Sequence, residues 1–225
     1  CEAADVAAGT CPLAGLLKTI NGPHPGALDV TTYQYRPADE AGCASSPATC
    51  AYRKGDLWKV VNALAQSSEI LRYDGAGRVT SAKDANGVIT DLEYNARGWL
   101  TASKVRGTDH ASETDDRIVR IEYWPDGSTK KLTQPNGAFV RFEYDPAHRL
   151  TAMIDSDGNA IRYTLNAAGE REKEEVFDSA NVLRRTLSRT YNTLGQLRLV
   201  STPHPNPAIT TPVTTTYLYD AEGNP

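Results

Sequence analysis

"YDGAGRVTSAKDANGVITDLEYNARGWL", residues Tyr73 to Leu100, is the stretch that decides the fold. It holds Gly-bearing turns, scattered carboxylates and a Tyr at each end of a 21-residue interval. The same Tyr returns along the chain. Anchors stand at Tyr52, Tyr73, Tyr94, Tyr123, Tyr144, Leu165, Tyr191 and Tyr219, spaced 21, 21, 29, 21, 21, 26 and 28 residues apart. Tyr35 heads a further, degenerate unit. Self-similarity at such a period marks a stacked array, in which each unit touches its neighbours and insertions fall in loops.

Each unit reads as a β-hairpin. Apolar residues alternate before the anchors, as in Val119-Ile121-Tyr123, Val140-Phe142-Tyr144 and Ile161-Tyr163-Leu165. Period two puts them on one face of a strand. Asp74, Asp145, Asp220 or Asn95 follows the anchor directly, and Gly77, Gly98, Gly127, Gly195 or Gly223 stands four residues after it. That pattern predicts a three-residue loop, with the Asx side chain capping the turn and Gly supplying a positive φ. His148 takes the Gly position once, and His tolerates that region. The register then faces Tyr73 with Val79, Tyr94 with Leu100, Tyr144 with Leu150 and Tyr191 with Leu197. On the opposite face it sets Asp74 against Arg78 and Asp145 against Arg149.

The second turn of each unit carries Asn86-Gly87, Asn136-Gly137 or Asp157-Gly158. These dipeptides predict two-residue hairpin loops. That register pairs Ile154 with Ile161 and Leu150 with Leu165. It also turns Lys131 inward and Leu132 outward, which the pattern does not account for. The stretch 57–71 reads as two strands around a turn near Gln66-Ser67.

Composition narrows the function classes. The 225 residues are 40% hydrophobic and 23% charged, with 11 Tyr against three Phe and a net charge of −4. Neither disorder nor an electrostatic footprint for nucleic acid follows. No apolar run has the length of a membrane span. The acidic stretch 109–117 is expected to be a solvated loop. Four cysteines lie at 1, 11, 43 and 50 without zinc spacing. A disulfide between Cys43 and Cys50 would close a short loop, if the chain is exported; four reduced thiols are the alternative.

The heptapeptides "YDGAGRV", "YNARGWL", "YDPAHRL" and "YNTLGQL", with "YDAEGN" at the end, resemble the YD repeat of the Rhs family. The resemblance spans roughly residues 13–225. It implies an all-β fold of tandem antiparallel hairpins in a curled, spiralling sheet, part of a larger hollow shell. In bacterial members the shell encloses a variable C-terminal toxin. Many members also carry an aspartyl self-cleavage motif containing D-P-x-G. This chain has only Asp145-Pro146-Ala147-His148, within an ordinary turn.

The expected organisation is an N-terminal segment (1–12), a degenerate repeat with a Cys-bearing insert (13–51) and the repeat array (52–225). The expected function is a structural wall segment of a secreted bacterial toxin, whose partners are the other repeats and the enclosed toxin domain. No catalytic residue, metal site or cofactor is expected. Asn replaces Asp freely at the turn position, which a general acid or base would not allow. "DSDGN" at 155–159 lacks the remaining ligands of a calcium loop. The alternative is a cell-surface module that binds glycans or a partner protein through Trp58, Trp99 and Trp124.

Overall fold

The computed structural model describes residues 1–24, 29–110, 112–206 and 208–224. A short helix, α1 (Ala3–Ala7), and a 3-10 turn at Pro47–Thr49 are the non-strand elements among them. The strands begin with β1 (Thr19–Ile20), β2 (Thr31–Tyr35), β3 (Leu57–Val61), β4 (Ser67–Tyr73), β5 (Val79–Lys83), β6 (Ile89–Tyr94) and β7 (Leu100–Val105). They continue with β8 (Arg117–Tyr123), β9 (Thr129–Thr133), β10 (Phe139–Tyr144), β11 (Leu150–Asp155) and β12 (Ala160–Leu165). The last are β13 (Arg171–Phe177), β14 (Leu183–Tyr191), β15 (Leu197–Thr202) and β16 (Val213–Thr216). All sixteen belong to one sheet in chain order, without a crossover. The chain divides into two compact units, Cys1–Val119 and Arg120–Pro225.

The first turn of each repeat closes on the Tyr. Tyr73 pairs with Val79, Tyr94 with Leu100, Tyr144 with Leu150 and Tyr191 with Leu197. The Asp74 amide donates to the Arg78 carbonyl at 2.9 Å, and the Gly77 amide donates to the Asp74 carbonyl at 3.0 Å. Gly77 has φ 77° and His148 φ 61°.

The second turn differs from the two-residue loop read from sequence. The Asp155 amide donates to Asn159 and the Gly158 amide to Asp155, so the loop again has three residues. The same two bonds close the turns at Asp84–Val88 and Gln134–Ala138. A two-residue loop of the Asn-Gly type needs a positive φ at both residues. Gly87, Gly137 and Gly158 have one, whereas Asn86, Asn136 and Asp157 do not. Consequently Met153 faces Ile161 and Ile154 faces Ala160, in place of the expected Ile154–Ile161 pair.

A one-residue change of loop length turns a strand over. A bulge offsets it. Beside Tyr123 the register skips Lys130, and beside Tyr144 it skips Thr151. Thr151 Oγ1 donates to the Glu143 carbonyl at 3.2 Å, and Thr101 does the same to Glu93. This bulge also resolves the anomaly at 129–133. With Lys130 as the extra residue, Leu132 pairs with Ile121 and Val140, and Lys131 with Glu122 and Arg141. Leu132 therefore lies on the tyrosine face and Lys131 on the other.

Two further expectations change. Tyr52 lies outside the strands and is not an anchor. Tyr35 is the anchor: it pairs with Leu57, so the Cys-bearing insert lies inside its turn. In the 57–71 stretch the turn sits at Asn62–Gln66, with Ala65 at φ 60°. The acidic stretch is largely exposed, as expected, but it is tied down. The Asp116 side chain is buried against Arg106 at 2.7 Å, and Glu113 pairs with Lys104. Asp115 accepts the Thr108 amide and hydroxyl at 2.7 and 2.9 Å.

At five anchors tyrosine does what phenylalanine could not, because the hydroxyl has a partner. Tyr35 donates to the Leu17 carbonyl, Tyr73 to Leu57, Tyr144 to Thr129, Tyr191 to Arg171 and Tyr219 to Leu197, at 2.6 to 3.0 Å. From Tyr73 onward, each of these acceptors is the residue that faces the preceding anchor across its turn. Each Tyr thus ties its own hairpin to the one before. The ties matter because the sheet has little interior: among the described residues no large side chain is fully buried, and the sheet's buried residues are Ala102, Lys104, Ala152, Ile154 and Ala160.

Tyr144→Phe should cost about 1 kcal/mol by urea unfolding, the net worth of one such hydrogen bond. Alkali should act on the same tie. Burial is the main reason that the Tyr73 hydroxyl is pushed up to about 12. A raised pKa contributes stability that is complete below the unfolded value of about 10 and is lost as pH rises through the folded one. Stability measured against pH should therefore fall between about pH 10 and 12, and less steeply in Tyr73→Phe.

Candidate functional site

The carboxylates of the repeat are committed to the backbone. Asp74 Oδ1 accepts the Ala76 and Arg78 amides at 2.9 and 3.0 Å, and Asp145 Oδ1 accepts those of Ala147 and Arg149 at the same distances. Asn95 and Asn192 repeat the arrangement through the amide oxygen. An acceptor is all that the position requires, so Asp and Asn interchange. In "DSDGN", Asp155 uses Oδ1 for the Asp157 and Asn159 amides and Oδ2 for the Asn159 side chain at 2.8 Å. Asp157 and Gly158 build that turn, as Asn86 and Gly87 build theirs.

A second pattern, missed in the sequence, links the Asx of seven turns to the residue four further on. In four turns with Asp that residue is a donor: Asp74 with Arg78, Asp145 with Arg149, Asp155 with Asn159 and Asp220 with Asn224. The turns at Asp84, Asn95 and Asp178 have Val88, Trp99 and Val182 there and fall outside it. In three turns with Asn that residue is an acceptor. Asn62 donates to Gln66 at 2.9 Å, Asn166 to Glu170 at 2.6 Å and Asn192 to Gln196 at 2.7 Å. The signal stands in the sequence as i,i+4 complementarity, and comparing the turns with one another would have found it.

These bonds hold the turn carboxyls below the usual range. The Arg149 amide and side chain do so for Asp145, and the side chains of Asn159 and Asn224 lead for Asp155 and Asp220. Groups shifted down by their partners mark functional sites only where they converge in a cleft. Here each is explained by its own turn.

The other candidates are placed as follows. Cys43 is bonded to Cys50 and Cys1 to Cys11. Glu40, Cys43 and Cys50 converge, but the disulfide leaves neither sulfur as a thiolate, and Glu40 accepts the Ala51 amide at 2.6 Å. His148 Nδ1 contacts Asp126, and His204 Nδ1 accepts the Asn206 amide. Trp58 and Trp99 are half-buried beneath the cations of Arg36, Lys59 and Arg97. Trp124 is exposed and borders a cleft of about 810 Å³ with Lys130, Phe142 and Tyr144. Among the described residues no helix is long and apolar enough to cross a membrane.

Residues 73–109 and 123–160, two successive runs of this hairpin, match the family described as RHS Repeat. Over those stretches the chain is similar to RHS-repeat proteins. It is 23% identical over 134 residues to the Double-stranded DNA deaminase toxin A of Burkholderia cenocepacia, covering 60% of this chain and 8% of that protein. Two solved structures align with 87% of the chain at 14% identity. One is titled "Crystal Structure of TcdB2-TccC3-Cdc42" (TM-score 0.34, 14% of that chain). The other is a Photorhabdus luminescens Tc holotoxin pore (TM-score 0.32, 13% of that chain). The chain thus spans less than a sixth of the length of each of these relatives.

The complementarity within the turns makes a direct prediction. Asn166→Asp places a carboxylate against Glu170 and should destabilise the chain by several tenths to about 1 kcal/mol at pH 7. The loss should shrink near pH 4, as the carboxylates take up protons. Adding Glu170→Arg should restore stability, because it recreates the Asp-to-Arg pair of the 145–149 turn. Urea unfolding of the single and double variants at both pH values measures this.

Proposed function

We propose that these RHS repeats are a stretch of wall in the shell of a secreted bacterial toxin, and that the complete shell encloses and delivers a C-terminal toxin domain. The observation that carries the reading is a sixteen-strand sheet in chain order with almost no interior of its own. A sheet must cover its apolar face against something. Ile121, Leu132, Val140, Phe142, Met153, Ile161 and Tyr163 share one face by register and are only half-buried. A wall with contents, or with further wall around it, meets that need.

Two other features support it. The turn acids are spent on backbone amides, which suits a scaffold rather than a catalyst. Both disulfides suit an oxidising compartment outside the cytoplasm. The curated relative is itself named as a toxin, and the chain corresponds to a small share of it. The glycan alternative has weaker support, since cations stack on Trp58 and Trp99.

Limited proteolysis of the complete gene product tests the proposal. The segment that follows the repeats should resist trypsin while the repeats are folded, and become cleavable over the same denaturant range that unfolds them. Immediate digestion of that segment beside an intact repeat array would refute enclosure.

A further inference from the structure

The turns after Tyr35 and after Tyr123 are built alike. The Arg36 amide donates to Asp56 and the Gly55 amide to Arg36, at 2.9 and 3.0 Å; the Trp124 amide donates to Ser128 and the Gly127 amide to Trp124, at 2.8 and 3.0 Å. Tyr35 faces Leu57 with Trp58 bulged, and Tyr123 faces Thr129 with Lys130 bulged. Tyr73 and Tyr144 then reach back to Leu57 and Thr129. The difference is what the turn contains. After Tyr35 it carries residues 37–54; after Tyr123 it is minimal.

In both places the ladder to the next strand stops short. β3 pairs with β4 only over Lys59–Val61, and β9 with β10 only over Lys131–Thr133. In the first repeat the chain itself lies against the unladdered part of β4. The Ala51 carbonyl accepts the Tyr73 amide at 2.6 Å. The Tyr52 ring stacks on the Arg36 guanidinium at 3.9 Å, and Arg36 donates to the Ile70 carbonyl at 3.0 Å. In the second repeat the corresponding place is the open cleft of about 810 Å³ beside Phe142 and Tyr144. Trp124 stands where Arg36 stood, 41% exposed, with Lys130 Nζ 5.0 Å from its ring. Of the charges lining the cleft, Glu143 is paired with Arg141 at 2.8 Å, Asp145 with Arg149 at 2.7 Å and Asp126 with His148. Lys130 and Lys131 share one carboxylate between them, Glu122 at 4.0 and 3.8 Å.

We propose that this cleft binds an extended acidic–aromatic peptide segment of a partner polypeptide. The segment takes the place that residues 50–52 occupy in the Cys-bearing repeat. Its backbone carbonyl accepts the Tyr144 amide, as extended segments do at open strand edges. Its aromatic ring packs on Trp124, and its carboxylate pairs with Lys130 and Lys131. The binding is independent of enclosure: an empty cleft leaves the wall reading intact, and a wall that encloses nothing leaves the cleft measurable.

Fluorescence polarisation of the purified chain with a dye-labelled blocked hexapeptide, TSAYEG, tests this. The peptide is patterned on residues 49–52 and extended by Glu-Gly. Saturable binding with Kd on the order of 100 µM is expected. Trp124→Ala should weaken it about tenfold or more, as loss of a central aromatic contact does. Lys130→Glu with Lys131→Glu should reverse the preference from TSAYEG to TSAYKG. Circular dichroism verifies that each variant keeps its strand content. No saturation by about 1 mM, equal affinity in Trp124→Ala, or equal binding of TSAYKG to the unaltered chain would each overturn the proposal.

Discussion

Everything regular in this chain depends on one constraint, the three-residue turn closed by a residue at positive φ. The Asx amide, the carbonyl four residues on and the left-handed residue between them fix which side chains face each other. A strand pair has no other means of choosing its register when one layer of sheet supplies so little interior. The same turn ends both hairpins of a repeat, so an error in one would pass to the next strand. The Asx cap guards against this, because its side-chain oxygen accepts two backbone amides that would otherwise lack partners within the turn.

The bulge and the Tyr are consequences. A three-residue loop at both ends would put the apolar positions of one leg on the wrong face. One extra residue, such as Lys130 or Thr151, returns them. The bulge also ends the ladder to the following strand early. Into that interval the anchor Tyr sends its hydroxyl, reaching a carbonyl of the preceding hairpin. The excess of Tyr over Phe thus has a structural cause: a phenyl ring would pack but would leave the repeats less firmly tied. Ties can be absent: Leu165 has no hydroxyl, with Arg171 stacking on Tyr163 nearby at 4.1 Å, and the Tyr94 ring is met by Arg78 at 4.9 Å instead.

The same geometry separates scaffold from surface. Acids at the turns are consumed locally, which leaves the tyrosine face and the unladdered intervals as the places where other polypeptide can be met. The Cys-bearing insert uses one such interval within the chain. Its disulfide closes the loop that delivers Ala51 to Tyr73 and Tyr52 to Arg36.

The amino-acid sequence alone determined the hairpin repeat, the first turn, its Asp–Arg pairs and the apolar partners of the Tyr anchors. The turn, its ion pairs and the Tyr partners are set by residues within seven positions of one another, and the repeat by the 21-residue recurrence of that motif, so periodicity and turn chemistry suffice. Asn86-Gly87 and Asp157-Gly158 were misread as two-residue loops because both turn types use the same dipeptide, and only the backbone angle at the first residue separates them. The assignment of Tyr35 over Tyr52 needed the pairing with Leu57 across a long insert, which no local pattern encodes. Only the tertiary structure decided the bulges, the Tyr-to-carbonyl ties, the Cys1–Cys11 bond and the cleft at Trp124. Each joins groups whose proximity arises after the strands have been set side by side.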